Sequence, residues 1–130
     1  MKRFLIDANA FLRFLLDDIP GQKKAFEKLL QKAKRKEVIL FVPQIVIFEI
    51  DFILEKYYQF SKEEIINKLK SIMSTSYVQV QDRECFKRAI ELYSQENISF
   101  ADCFLLSKAR IENSELFTFD RKLKKLRDNS

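Results

Sequence analysis

The chain has 130 residues, 47% of them hydrophobic, with 24 Lys+Arg against 19 Asp+Glu, a net charge of +5 and a pI near 9.2. This suffices for one domain, 1–130, around a single core, and the positive balance suits a polyanionic partner. The absence of histidine excludes Ser-His-Asp and Cys-His nucleophile pairs, His-ligated zinc and imidazole acid–base catalysis, which leaves carboxylates, lysine, hydroxyls or a metal to carry any chemistry.

The opening stretch MKRFLIDANAFLRFLL is apolar, yet Asp7, Asn9 and Arg13 divide it into pieces too short for a secretory h-region. No other stretch reaches the apolar length of a bilayer span, so a soluble cytoplasmic protein with no membrane partner is expected. RFLID (3–7) reads as a first strand, followed by helical patterns over 9–16 and 22–35. VILFV (38–42) is a second strand and 44–58 a helix. Ser61 and Glu64 form a capping box before a helix over 62–73, and YVQVQ (77–81) is a third strand. Helices over 83–95 and 100–111, a strand LFTFD (116–120) and a short helix over 121–127 complete the pattern. Alternating strands and helices give an α/β class with a largely parallel sheet and helices on both faces. With one glycine and two prolines, the turns must lean on Asn, Ser and Asp. Cys85 and Cys103 fit no metal spacing and are expected to be buried free thiols.

Asp7 and Asp120 each end an apolar run at the carboxyl end of an expected strand, where ligands bind in open parallel sheets. Either alone reads better as an N-cap of the following helix. Two further acids change the balance. Glu49, in VPQIVIFEIDFIL, has Ile45, Val46, Phe52 and Ile53 as helical neighbours and so projects from an apolar face, while Asp51 is expected to face water. Asp102, in SFADCFLLSKAR, shares a face with Leu105, Leu106 and Ala109, and Ser99 before it suggests a capping box with Asp in place of Glu. Converging carboxylates at 4 Å repel by about 4 kcal/mol per pair at an effective dielectric of about 20. A divalent cation removes that cost. Oxygen ligands without His or Cys favour Mg²⁺ or Mn²⁺, which leaves coordination positions for water and a phosphate oxygen and implies phosphodiester hydrolysis.

In order and spacing, Asp7 in LIDANAFLRFLL, Glu49 in VPQIVIFEIDFIL, Asp102 in SFADCFLLSKAR and Asp120 in LFTFD resemble the PIN-domain ribonucleases. The stretch VPQIVIFEIDFILEKYYQFSKEEI looks most like the VapC-type toxins of VapBC toxin–antitoxin pairs. The resemblance implies a three-layer α/β/α domain with a mainly parallel four- to five-stranded sheet. It also implies an acidic Mg²⁺ or Mn²⁺ site of Asp7, Glu49, Asp102 and Asp120, and endonucleolytic cleavage of single-stranded RNA. Asn9 and Thr118 match polar positions beside the first and last acids, and Arg13 a position where the family often has Arg, as supporting or substrate contacts. A homodimer inhibited by a small antitoxin is implied as well. Ala8, where the family often has Thr, departs from the pattern.

Lys108, Arg110 and the run RKLKKLR (121–127) offer cations for phosphate, although an amphipathic helix with a wet face is the better reading of the run. A receiver-type phosphoacceptor fits less well, since the first strand offers a single acid. An RNA-processing or DNA-directed nuclease without a toxin role, and a non-catalytic PIN-like scaffold, are the other readings.

Overall fold

The computed structural model describes residues 1–129. The chain divides into two compact units, Met1–Gln81 and Asp82–Ser130.

In the first unit, β1 (Lys2–Leu5), β2 (Val38–Val42) and β3 (Gln79–Val80) form a parallel sheet in the order β1-β2-β3. Lys2 pairs with Val38 and Leu5 with Phe41, then Phe41 with Gln79 and Val42 with Val80. The Ile6 and Gln81 N–H groups extend the ladders, to the Phe41 and Val42 carbonyls at 2.9 and 3.0 Å. Parallel strands need long crossovers. Here α1 (Ala8–Leu16) and α2 (Pro20–Lys34) join the first pair, and α3 (Gln44–Phe52) and α4 (Lys62–Met73) the second. Helix α2 begins at Pro20, the N1 position where a missing N–H costs nothing, two residues earlier than its apolar periodicity suggests. Phe11 and Phe26 meet edge to face at 5.3 Å and tie α1 to α2.

The helix expected over 44–58 does not continue unchanged. After Phe52 it widens into a π turn, Ile53–Tyr57, in which the Tyr58 N–H reaches back five residues to the Ile53 carbonyl at 3.1 Å. The Ser61 capping box is present in both directions. Turn chemistry follows the composition: of the five non-glycine residues with positive φ among the described residues, Asp17, Asp82 and Asn113 are the Asx types that tolerate it, and Lys36 and Gln59 are the others.

In the second unit, α5 (Arg83–Gln95) packs on α6 (Phe100–Ile111) through Phe86, whose ring lies 4.7 Å from Phe104 and 6.0 Å from Phe100. Cys85 and Cys103 are buried free thiols, as expected. Burial pushes the Cys85 thiol up to about 11, although the nearby Lys108 works against this. The last helix, α7 (Arg121–Asp128), is anchored by buried Leu123.

Three strands are paired among the described residues, and the segment expected as a further strand, 116–120, has no ladder partner there. The Leu116 carbonyl accepts from the Arg127 guanidinium at 2.9 Å. Phe117 and Phe119 alternate outward at 85% and 81% exposure while Leu116 and Thr118 are half-buried, so the strand-like alternation persists without pairing.

Candidate metal centre

Asp7 follows β1 and is the N-cap of α1. Its Oδ1 accepts from the Ala10 N–H at 2.9 Å, which fixes the carboxylate, and Oδ2 has no hydrogen-bond donor among the described residues. Asp120 repeats the arrangement at α7, where Oδ1 accepts from the Leu123 N–H at 2.9 Å. Thr118 supports this entry through Oγ1, which accepts from the Asp120 N–H at 3.1 Å. Capping is therefore real at both positions, yet it engages a single carboxylate oxygen at each.

Glu49 is exposed on α3, in a shallow depression whose other walls are Ile45, Phe48, Phe52 and Ile53. This is the apolar setting its helical spacing implies. Asp102 lies in the first turn of α6, where the Ser99 hydroxyl caps its N–H at 3.1 Å. The Asp102 carboxylate does not return the bond as Glu64 does to Ser61, being one methylene shorter, and so remains open.

Ion pairs among the described residues use acids such as Asp17, Asp18, Glu37, Glu55, Asp82, Glu84, Glu112 and Asp128. Among the described residues none involves Asp7, Glu49, Asp102 or Asp120, in a molecule with a cation excess. The four offer hard oxygen donors that no protein cation occupies, a donor set that fits Mg²⁺ or Mn²⁺. Asp7 and Glu49 belong to the first unit, Asp102 and Asp120 to the second. Among the described residues no three acidic or cysteine side chains form a group able to hold a metal.

Arg13 is 15% exposed and engaged within its own unit: Nη1 pairs with Asp18 at 3.1 Å and Nη2 donates to the Tyr58 hydroxyl at 3.3 Å, while buried Nε has no partner among the described residues. The Asp17-Asp18 pair is the sequence signal for this anchor. Asn9 is exposed in the first turn of α1. Asp51, expected to face water, is instead half-buried with Oδ1 unpartnered among the described residues, because the packing of α3 covers part of it. Burial first, and the negative charge of Glu55 second, raise its carboxyl to about 6.

Comparison with known proteins completes the picture. The chain matches the PIN domain family over residues 4–129, which contain all four acids. It is 32% identical over 126 residues to a VapC ribonuclease of Aquifex aeolicus (strain VF5), covering 94% of this chain and 90% of that protein. The α/β architecture, the parallel sheet and a match spanning both units together place this chain in the PIN-domain family.

Proposed function

We propose that the protein is a single PIN domain that acts as a Mg²⁺- or Mn²⁺-dependent endoribonuclease on single-stranded RNA, as the toxin of a toxin–antitoxin pair. The observation that carries this reading is the similarity to a VapC ribonuclease over 94% of the chain, supported by four carboxylates that resemble the family's acids in order and spacing. A cytoplasmic setting agrees with it, and no helix among the described residues is long and apolar enough to cross a membrane. A homodimer and a small antitoxin that covers the acids are the partners the reading calls for.

Asp7, Asp102 and Asp120 are the residues assigned to hold the ion, with Glu49 as a further ligand or as the base that orients the attacking water. The bound ion supplies a lowered water pKa and positive charge opposite the scissile phosphate. Asp7 and Asp120 contribute carboxylates held by their own helix N-termini, so little side-chain entropy remains to be lost on binding. Thr118 positions Asp120 through its hydroxyl, and Asn9 offers an exposed amide to substrate. Arg13, tied to Asp18 and Tyr58, acts as a positioned cation more than a mobile one.

Cleavage of a labelled single-stranded RNA in Mg²⁺ or Mn²⁺, against EDTA, is the test. Activity that needs the ion and falls at least about 100-fold in Asp7→Asn is expected, of the order seen when one charge-stabilising group is removed. Full activity of Asp7→Asn, or of the wild type in EDTA, removes the assignment.

A further inference from the structure

Helix α2 presents a charge pattern that its own folding does not explain. Between residues 20 and 36 there are seven Lys or Arg and one acid, Glu27, a local excess of six in a chain whose whole net charge is +5. The inner face of α2 is used up in the core by Phe26, Leu30 and Ala33. On the outer face Lys24, Lys28 and Lys32 recur every four residues, all exposed, a spacing at which like charges on a helix repel.

Neighbouring acids do not relieve this. Lys23 pairs with Asp17 at 3.1 Å and Arg35 with Glu37 at 3.3 Å, but Lys24, Lys28, Lys32 and Glu27 have no ion-pair partner among the described residues. Lys24, Glu27, Lys28, Gln31, Lys32 and Arg35 line one open groove of about 750 Å³. At 1.5 Å per residue, Lys24 to Arg35 spans about 16 Å along the axis. No aromatic ring lines the groove, so its chemistry is recognition of phosphate, without base stacking and without sequence preference. Nor does it carry the exposed large apolar side chains with which an amphipathic helix enters a lipid surface.

We infer that the outer face of α2 is a docking track for the phosphate backbone of single-stranded RNA, with Lys24, Lys28 and Lys32 as its main contacts and Arg35 at its end. The inference rests on the nuclease reading above and adds to it a substrate-holding surface outside the four acids. Its role is to hold the strand wherever along the sequence the cut falls.

The test is fluorescence anisotropy of a labelled single-stranded RNA, in EDTA so that nothing is cut, between 50 and 200 mM salt. The proteins compared are the wild type, Lys24→Gln/Lys28→Gln/Lys32→Gln, and a matched Lys56→Gln/Lys70→Gln/Lys87→Gln that loses the same charge elsewhere. At about 0.7 per phosphate contact, the α2 variant should lose about 2 from the slope of log affinity against log salt, and more than about tenfold affinity at 50 mM salt. The matched variant should keep its slope. If circular dichroism shows the triple variant unfolded, Lys28→Glu alone is read instead, with a loss of about 0.7 from the slope expected. An unchanged slope in the α2 variant overturns the inference, as does an equal loss in both triple variants. Loss of binding to phosphatidylserine vesicles with RNA binding intact overturns it in favour of a lipid surface. Wild-type protein that cuts RNA while the α2 variant keeps its slope sinks the track alone, whereas failure of the wild type to cut any RNA sinks the nuclease reading.

Discussion

Asp120 caps α7 with one oxygen and is assigned to the ion with the other, so substitutions that keep or lose the cap separate the two roles. Asn caps as well as Asp, and Asp120→Asn should therefore leave stability within about 0.5 kcal/mol while abolishing RNA cleavage. Asp120→Ala loses both, at a further cost of about 1 kcal/mol in urea unfolding. Equal destabilisation by the two variants would show that the cap does not depend on the oxygen that both Asp and Asn carry. Asp51 presents a different balance, since its carboxyl is raised to about 6 by burial and by Glu55. A carboxyl raised in the folded state binds its proton more tightly there than in the unfolded chain, so its favourable contribution is complete below about pH 4 and is lost as pH rises through about 6. The shift corresponds to about 3 kcal/mol undiscounted, and to about 1–2 kcal/mol once the solvent reaching this half-buried group is allowed for. Asp51→Asn should accordingly raise the thermal midpoint at pH 8, measured in EDTA, and match the wild type at pH 4. A wild-type midpoint that does not fall relative to Asp51→Asn between those values would place the charge in water.

Local signals were readable element by element, and nonlocal ones were not. The Ser61–Glu64 box needs only residues three apart, and it forms as the sequence implies. Ser99 and Asp102 carry the same spacing, yet only half of the box closes, because reaching back to the cap N–H needs the longer Glu side chain. The π turn at Ile53–Tyr57 left no mark in the periodicity, since one widened turn shifts the apolar face too little to break the pattern of Ile50 and Leu54. LFTFD presents a different case. Its alternation is visible, but strand pairing is decided by a partner distant in sequence, and none is present among the described residues. The two serine caps give a matched test of which helix entry matters to the site. Ser61→Ala and Ser99→Ala should each cost about 1 kcal/mol in urea unfolding, and only Ser99→Ala, by loosening the first turn that carries Asp102, should lower RNA cleavage. Equal activity in the two variants would mean that the start of α6 does not position the acid.

At the scale of the whole chain, the acids were legible because each lies in a local pattern, an Asp ending an apolar run or an acid on a helical face. The partnership proposed for them comes only from the family's order and spacing, because nothing in a sequence states which distant residues share a ligand. Such a partnership would have a thermodynamic consequence separate from catalysis. An ion that binds the folded chain and not the unfolded one stabilises it by about 2.7 kcal/mol at a hundredfold excess over its dissociation constant. Mn²⁺ should therefore raise the thermal midpoint of the wild type by several degrees over the same protein in EDTA. If Asp7, from residues 1–81, and Asp102, from residues 82–130, hold the same ion, Asp7→Asn and Asp102→Asn should each abolish the rise, and the double variant should lose no more than either single one. The basic α2 variant should keep the full rise, because Lys24, Lys28 and Lys32 are assigned to RNA. A rise that persists in Asp102→Asn while vanishing in Asp7→Asn would confine the ion to ligands that exclude Asp102, and would require the second unit's acids to be reassigned as helix caps.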